Sequence, residues 1–144
     1  MDDLRSMQKL RLKFLFYAAA ASVALAGALH LADLLIDTEH SENASIATFF
    51  IITGIAQIFW ILPTVKCWSR SWHYIGIVGN AALIALWSLT RIPNPISGGE
   101  AEPIDRIGII VQVAQISYIL LITAAISRQR PWLKADSSSA ADAV

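Results

Sequence analysis

The chain has 144 residues, of which 56% are hydrophobic and 15% charged, with acidic and basic side chains in equal number and a mean hydropathy of +0.55. About a quarter of a soluble domain's residues are charged, so this composition excludes a conventional water-soluble surface. The single cysteine, Cys67, excludes an internal disulfide and a cysteine-based metal cluster. The few basic residues flank apolar runs rather than line a face, which excludes a nucleic-acid site.

Residues 1–13 form a basic segment with Arg5, Lys9, Arg11 and Lys13. The first apolar run follows, over residues 14–36. It is longer than the roughly 7–15 residues of a signal-peptide core, so it reads as a retained helix. Further runs cover residues 46–65, 72–90 and 107–127. Each is close to the roughly 20 helical residues that cross a bilayer core of about 30 Å. None carries a charged face at helical spacing, as a soluble helix would. The expected fold is therefore all-α, an integral membrane four-helix bundle over residues 14–127. Residues 128–144 form a tail, and from residue 135 its Ser/Ala/Asp-rich composition predicts disorder.

Local signals mark the helix ends. Ser45 and Ser71 are suited to cap the second and third helices. Pro103 suits the first turn of the fourth, with Glu102 and Asp105 near its positive dipole end. Pro63 falls near the end of the second span, where a kink is tolerable. Asn43-Ala44-Ser45 matches a glycosylation sequon. Nine of the eleven Lys and Arg residues lie on the side of the two termini, and only Arg91 and Arg106 lie opposite. The positive-inside rule then predicts both termini in the cytoplasm, with Cys67 there as a reduced thiol. Trp68 and Trp72 fall at the inner interface and Trp87 near the outer one.

Polar side chains enter every span. His30 and Asp33 share one face of the first helix with Gly27 and Asp37. Asp105, Gly108, Gln112 and Gln115 share a face of the fourth. Gly76, Asn80, Trp87 and Arg91 form a stripe on the third, and Gly54 and Gln57 stand near mid-depth on the second. Polar groups in hydrocarbon face the bundle interior or a wet cavity, so the stripes are expected to converge. Gln57, Asn80, Arg91, Asp105, Gln112 and Gln115 would form an intramembrane network. Its simplest role is hydrogen bonding between helices. Arg91 would anchor at the interface or pair with Asp33 or Asp105. Gly27, Gly54, Gly76 and Gly79, with Ala20, Ala24 and Ala28, would let backbones approach. His73 reads as an interfacial polar residue. His30 and Asp33, with Glu39 and His40 just beyond, could bind a cation, and that donor set suits copper or zinc.

Gly27-Ala28-Leu29-His30-Leu31, Glu39-His40, Phe49-Phe50, Gln57, Gly79-Asn80 and Leu86-Trp87-Ser88-Leu89-Thr90-Arg91, followed by Pro95, Glu102 and Asp105, form an arrangement that resembles a set of small four-span membrane proteins of archaea and actinobacteria. The likeness spans about residues 27–112. It implies the four-helix fold and no particular activity. Ile92-Pro93-Asn94-Pro95 stands where those proteins often carry a Gly-Leu-Pro-Phe-Gly-like stretch. In size and span count the chain is also similar to the small accessory helical subunits of archaeal membrane ammonia-oxidising complexes.

The residues themselves point to no reaction, because no acid, base and nucleophile stand together at a spacing that catalysis needs. Three functional classes follow. The first is a non-catalytic subunit or assembly partner, held in the lipid bilayer by other membrane subunits or by self-association. The second is a metal- or cofactor-binding redox module on His30, Asp33, Glu39 and His40. The third is a small oligomeric transporter, which lacks the repeat and broken helices expected of one.

Overall fold

The computed structural model describes residues 2–36, 44–93, 95 and 99–141. All regular structure in them is helical: α1 (Asp2–Ile36), α2 (Ala44–Phe59), α3 (Ile61–Val65), α4 (Arg70–Thr90) and α5 (Arg106–Ala141). Four segments are long and apolar enough to cross a membrane: Asp3–Ile36, Ala44–Val65, Arg70–Thr90 and Arg106–Arg128. Large apolar side chains stand exposed on every one of them, among them Leu25, Ile52, Val78 and Leu120. An apolar surface of this kind is what helices in contact with lipid carry. Hydroxyls on these helices donate back to their own backbone: Ser22 to the Ala18 carbonyl at 3.0 Å, Thr53 to Phe49 at 2.8 Å and Ser88 to Ile84 at 2.8 Å. Each is thereby satisfied without water.

Helix α1 is the centre of the bundle. It packs along α5 and also against α2 and α3, while α4 leans chiefly on α5. The main core joins Phe16, Ala19 and Val23 of α1 to Tyr118, Ile122, Ala125 and Ile126 of α5. A smaller cluster of Ala26, Val111 and Ala114 continues the same seam. Alanines on both helices bring the axes close enough for the large residues between them to interdigitate. Phe16 meets His73, His30 meets Phe50, and Gly27 meets Gly54. Successive spans therefore run antiparallel. One end of the bundle holds the termini and the α3–α4 turn. The other, distal end holds Arg91 and Asp105.

The second span is interrupted. Pro63 has no N–H to offer the Phe59 carbonyl, and its ring crowds the preceding turn. The helix breaks at Trp60, whose N–H reaches both the Ala56 and Gln57 carbonyls, at 3.0 and 3.1 Å. The Thr64 hydroxyl donates to the Trp60 carbonyl at 2.8 Å. Helix α3 then ends in a Schellman motif. The Trp68 N–H bonds the Pro63 carbonyl at 3.0 Å and the Cys67 N–H the Thr64 carbonyl at 3.3 Å. Cys67 occupies the left-handed position of that motif, with φ 49°, where glycine is the usual residue.

Three end signals resolve differently from the sequence expectation. Helix α4 begins at Arg70 with Ser69 as its cap residue, so Ser71 lies inside the first turn. Helix α5 begins at Arg106, after Pro103 rather than across it. Asp105 is its cap, accepting the Gly108 N–H on its carboxylate. A carboxylate caps better than proline starts a turn, because it satisfies a free N–H and the helix dipole together. The α5 backbone also stays helical to Ala141, through the stretch whose composition predicted disorder. Extending an existing helix costs little once the nucleus is formed.

Candidate functional site

The distal end is organised by α4 and α5. Arg91 ends α4 with its guanidinium 4.6 Å above the centre of the Trp87 ring. It pairs with Glu102 at 2.9 Å, and the Glu102 N–H returns to the Thr90 carbonyl at 2.9 Å. The expected pairing of Arg91 with Asp33 or Asp105 is therefore corrected. Glu102 lies in the adjoining segment and reaches Arg91 without entering the bundle, so no charge is taken deep into a low-dielectric interior. Asp105 is committed to the start of α5. Gly108 lets this end close: a Cβ there would stand 2.6 Å from Trp87 Nε1 and would collide with the Asp105 carboxylate.

Inward of this rim, the polar stripes face one another. His30 and Asp33 are both buried on α1, at 8% and 6% exposure. The His30 ring stands edge-on to Phe50, with centres 5.3 Å apart. Gln57 of α2 donates through Nε2 to Asn80 Oδ1 of α4 at 3.4 Å. Asn80 in turn donates to the Gly76 carbonyl at 2.9 Å. Gln112 and Gln115 are buried on α5. Gln57, Asn80, Gln112 and Gln115 thus all point into the bundle, whereas Arg91 and Asp105 belong to the rim. Glu39 and His40 lie outside the described residues. Among the described residues, no group of three His, Cys, Asp or Glu side chains is gathered to hold a metal ion.

The polar interior extends beyond the network expected from the sequence. Tyr118 is wholly buried, with its hydroxyl beside the Thr64 hydroxyl and the Trp60 indole N–H. A Cβ on Gly76 would collide with both Trp60 Nε1 and the Tyr118 hydroxyl, so only glycine lets these groups press against α4. His73 is also a correction. It is 1% exposed and stacks at 5.3 Å on Phe16, rather than standing at an interface. A face continued one more step finds both residues, since Tyr118 follows Gln115 by three and His73 precedes Gly76 by three. Of the small residues expected at contacts, Gly27 and Gly54 do meet: a Cβ on Gly27 would stand 2.8 Å from the Gly54 carbonyl oxygen. Gly79 does not: a Cβ there would have nothing within 4 Å. Ala28 is likewise exposed.

Outside the spans, Cys67 is exposed in the α3–α4 turn beside Trp68. Partial burial pushes its thiol pKa up, so the neutral thiol is the resting form. Trp60, Trp68 and Trp72 stack near this turn, with ring centres 5.5 and 5.2 Å apart.

No protein-family model, curated protein or solved structure matches the chain.

Proposed function

We propose that the chain is a non-catalytic subunit or assembly partner of a larger membrane complex, inserted as a four-span bundle with both termini in the cytoplasm. The observation that carries this reading is the outward face of α4. Gly79, Ala81, Ala82, Ala85 and Ser88 are all exposed there, on one side of the helix. Lipid rewards bulky side chains on an outward face, and small ones only leave the backbone uncovered. Small residues gain when a second helix packs against them, because its backbone can then approach closely. On α1 such residues are already used inside the bundle, at Ala19, Ala20 and Ala26. On α4 they are not, and a helix of another chain would use them.

The orientation rests on the distribution of Lys and Arg. The lone cysteine makes it directly testable. Cys67 is exposed in the α3–α4 turn, so a membrane-impermeant maleimide at mildly alkaline pH should label it only after cells are permeabilised. Labelling of intact cells would reverse the assignment.

The subunit reading is tested by gentle solubilisation of native membranes. Other membrane chains should co-purify with the protein. An Ala81→Leu, Ala85→Leu variant should remain folded but lose them. Recovery of the unmutated protein only as a monomer or homo-oligomer would overturn the reading.

A further inference from the structure

The middle of the bundle holds an unusual set of bare polar atoms. Gln57 Oε1, Gln112 Oε1, both amide atoms of Gln115 and both ring nitrogens of His73 are buried without a hydrogen-bond partner in the protein, while the Tyr118 hydroxyl and Trp60 Nε1 have only each other and the Thr64 hydroxyl. Five of these six residues are at least nine-tenths buried, and Gln115 and Tyr118 are wholly so. They come from α2, the α2–α3 break, α4 and α5, so no single helix accounts for them. Gln112, Gln115 and Tyr118 follow one another along one face of α5, covering about 9 Å of its length. Gln57 is tied to Asn80, whose amide bonds the Gly76 carbonyl, and Gly76 lies against Trp60 and Tyr118.

Buried polar groups are almost always hydrogen-bonded, and each one left bare carries its full desolvation cost. Six such atoms in one bundle core demand partners. Lipid offers none at this depth. The set mixes donors, such as Trp60 Nε1 and Gln115 Nε2, with acceptors, such as Gln57 Oε1 and Gln112 Oε1. An ion would match only one of these signs. A molecule that donates and accepts, carries no charge and fits between helices matches both.

We propose that the bundle core binds a chain of water molecules between Gln112 and His73, held by Gln57, Gln112, Gln115, Trp60, Tyr118 and His73. About three waters, each making about three hydrogen bonds, would serve these atoms. The apolar cluster of Phe16, Ile122 and Ile126 lies on the termini side of Tyr118 and bounds the chain there. The polar interior is then a built hydration site rather than a set of direct contacts between helices. The break that Pro63 imposes at Trp60 leaves the indole of that residue beside the chain in the middle of the second long helix.

The test uses the full-length 15N-labelled protein in lipid nanodiscs. Magnetisation transfer from water should reach the Trp60 indole N–H and the Gln115 side-chain amide. In a Gln115→Leu variant, the transfer to Trp60 should fall about ten-fold as the chain of waters is cut. Absence of transfer to both groups in the unmutated protein would overturn the proposal, whatever the variant does. Thermal unfolding separates the two cases again. Leucine in a dry core removes an unsatisfied amide and should raise the midpoint. In a hydrated core it strands the remaining polar atoms and should lower it by several degrees. A raised midpoint would overturn the proposal.

Discussion

Helices α1 and α4 are built from similar residues and put them to opposite use. In α1, Gly27 meets α2, and Ala19, Val23 and Ala26 are fully buried against α5. Most of its small residues are consumed by the chain's own packing, Ala21 and Ala28 excepted. In α4, Gly76 is filled by Trp60 and Tyr118, while Gly79, Ala81, Ala82 and Ala85 are exposed, and a Cβ on Gly79 would meet nothing within 4 Å. The contrast teaches that small residues in a span mark close helix approach, but not whose helix approaches. Which partner it is depends on the face. Faces continuous with polar residues turn inward, and faces continuous with bulky apolar residues turn outward.

The largest effect that would break the comparison is expected at Gly27. A leucine there would drive its Cβ to 2.8 Å from the Gly54 carbonyl oxygen and 3.0 Å from Ile58. Backbone cannot yield as a flexible side chain can, so Gly27→Leu should cost about 3 kcal/mol, the upper end for overpacking. Unfolding in mixed micelles measures this directly. A cost near zero would show that α2 is not held tightly against α1.

The turn that carries the chain from α3 into α4 comes next. Cys67 sits at φ 49°, in a Schellman position that favours glycine. A left-handed residue with a Cβ costs about 1–2 kcal/mol. Cys67→Gly should therefore stabilise the protein by about 1 kcal/mol, since glycine's greater freedom in the unfolded chain returns part of the gain. A destabilised Cys67→Gly variant would mean that the thiol makes contacts outweighing the strain.

The four long apolar helices were legible because length and hydropathy decide them: a bilayer fixes how many apolar residues a crossing helix needs, whatever they pack against. The inward direction of His30, Asn80 and Gln112 was legible for a related reason, since each shares its face with a small or polar residue: Gly27 and Asp33 for His30, Gly76 for Asn80, Gly108 and Gln115 for Gln112. What the sequence hid depends on a second element. The partner of Arg91 is Glu102, eleven residues on, and a segment that leaves the helix can reach back by many routes. Asp105 rather than Pro103 starts α5, because both residue types suit helix starts and the choice rests on where the chain arrives. His73 was assigned to an interface from its depth alone. Its burial comes from Phe16, a residue of α1 that no reading of α4 could supply.

The polar tie between the two halves should be weak. Gln57 and Asn80 meet at 3.4 Å, at the long end for such a bond. A double-mutant cycle with Gln57→Leu and Asn80→Leu should give a coupling of about 0.6 kcal/mol. Coupling of several kcal/mol would instead make this pair a main fastening between α2 and α4.

The smallest expected change in stability is also the sharpest test of the contrast. At Gly79 an added side chain meets nothing of this chain within 4 Å. Leucine also suits a helix better than glycine and is at home in lipid. Gly79→Leu should therefore leave the unfolding free energy of the isolated protein within about 0.5 kcal/mol, or raise it slightly. The same leucine would hold a neighbouring helix away from the α4 backbone. In native membranes it should release whatever chains co-purify with the unmutated protein. The two readouts must come apart if α1 spends its small residues internally and α4 keeps them for a partner. A variant that unfolds readily would show that α4 is already packed on that side. A stable variant that retains every partner would show that this face serves only lipid.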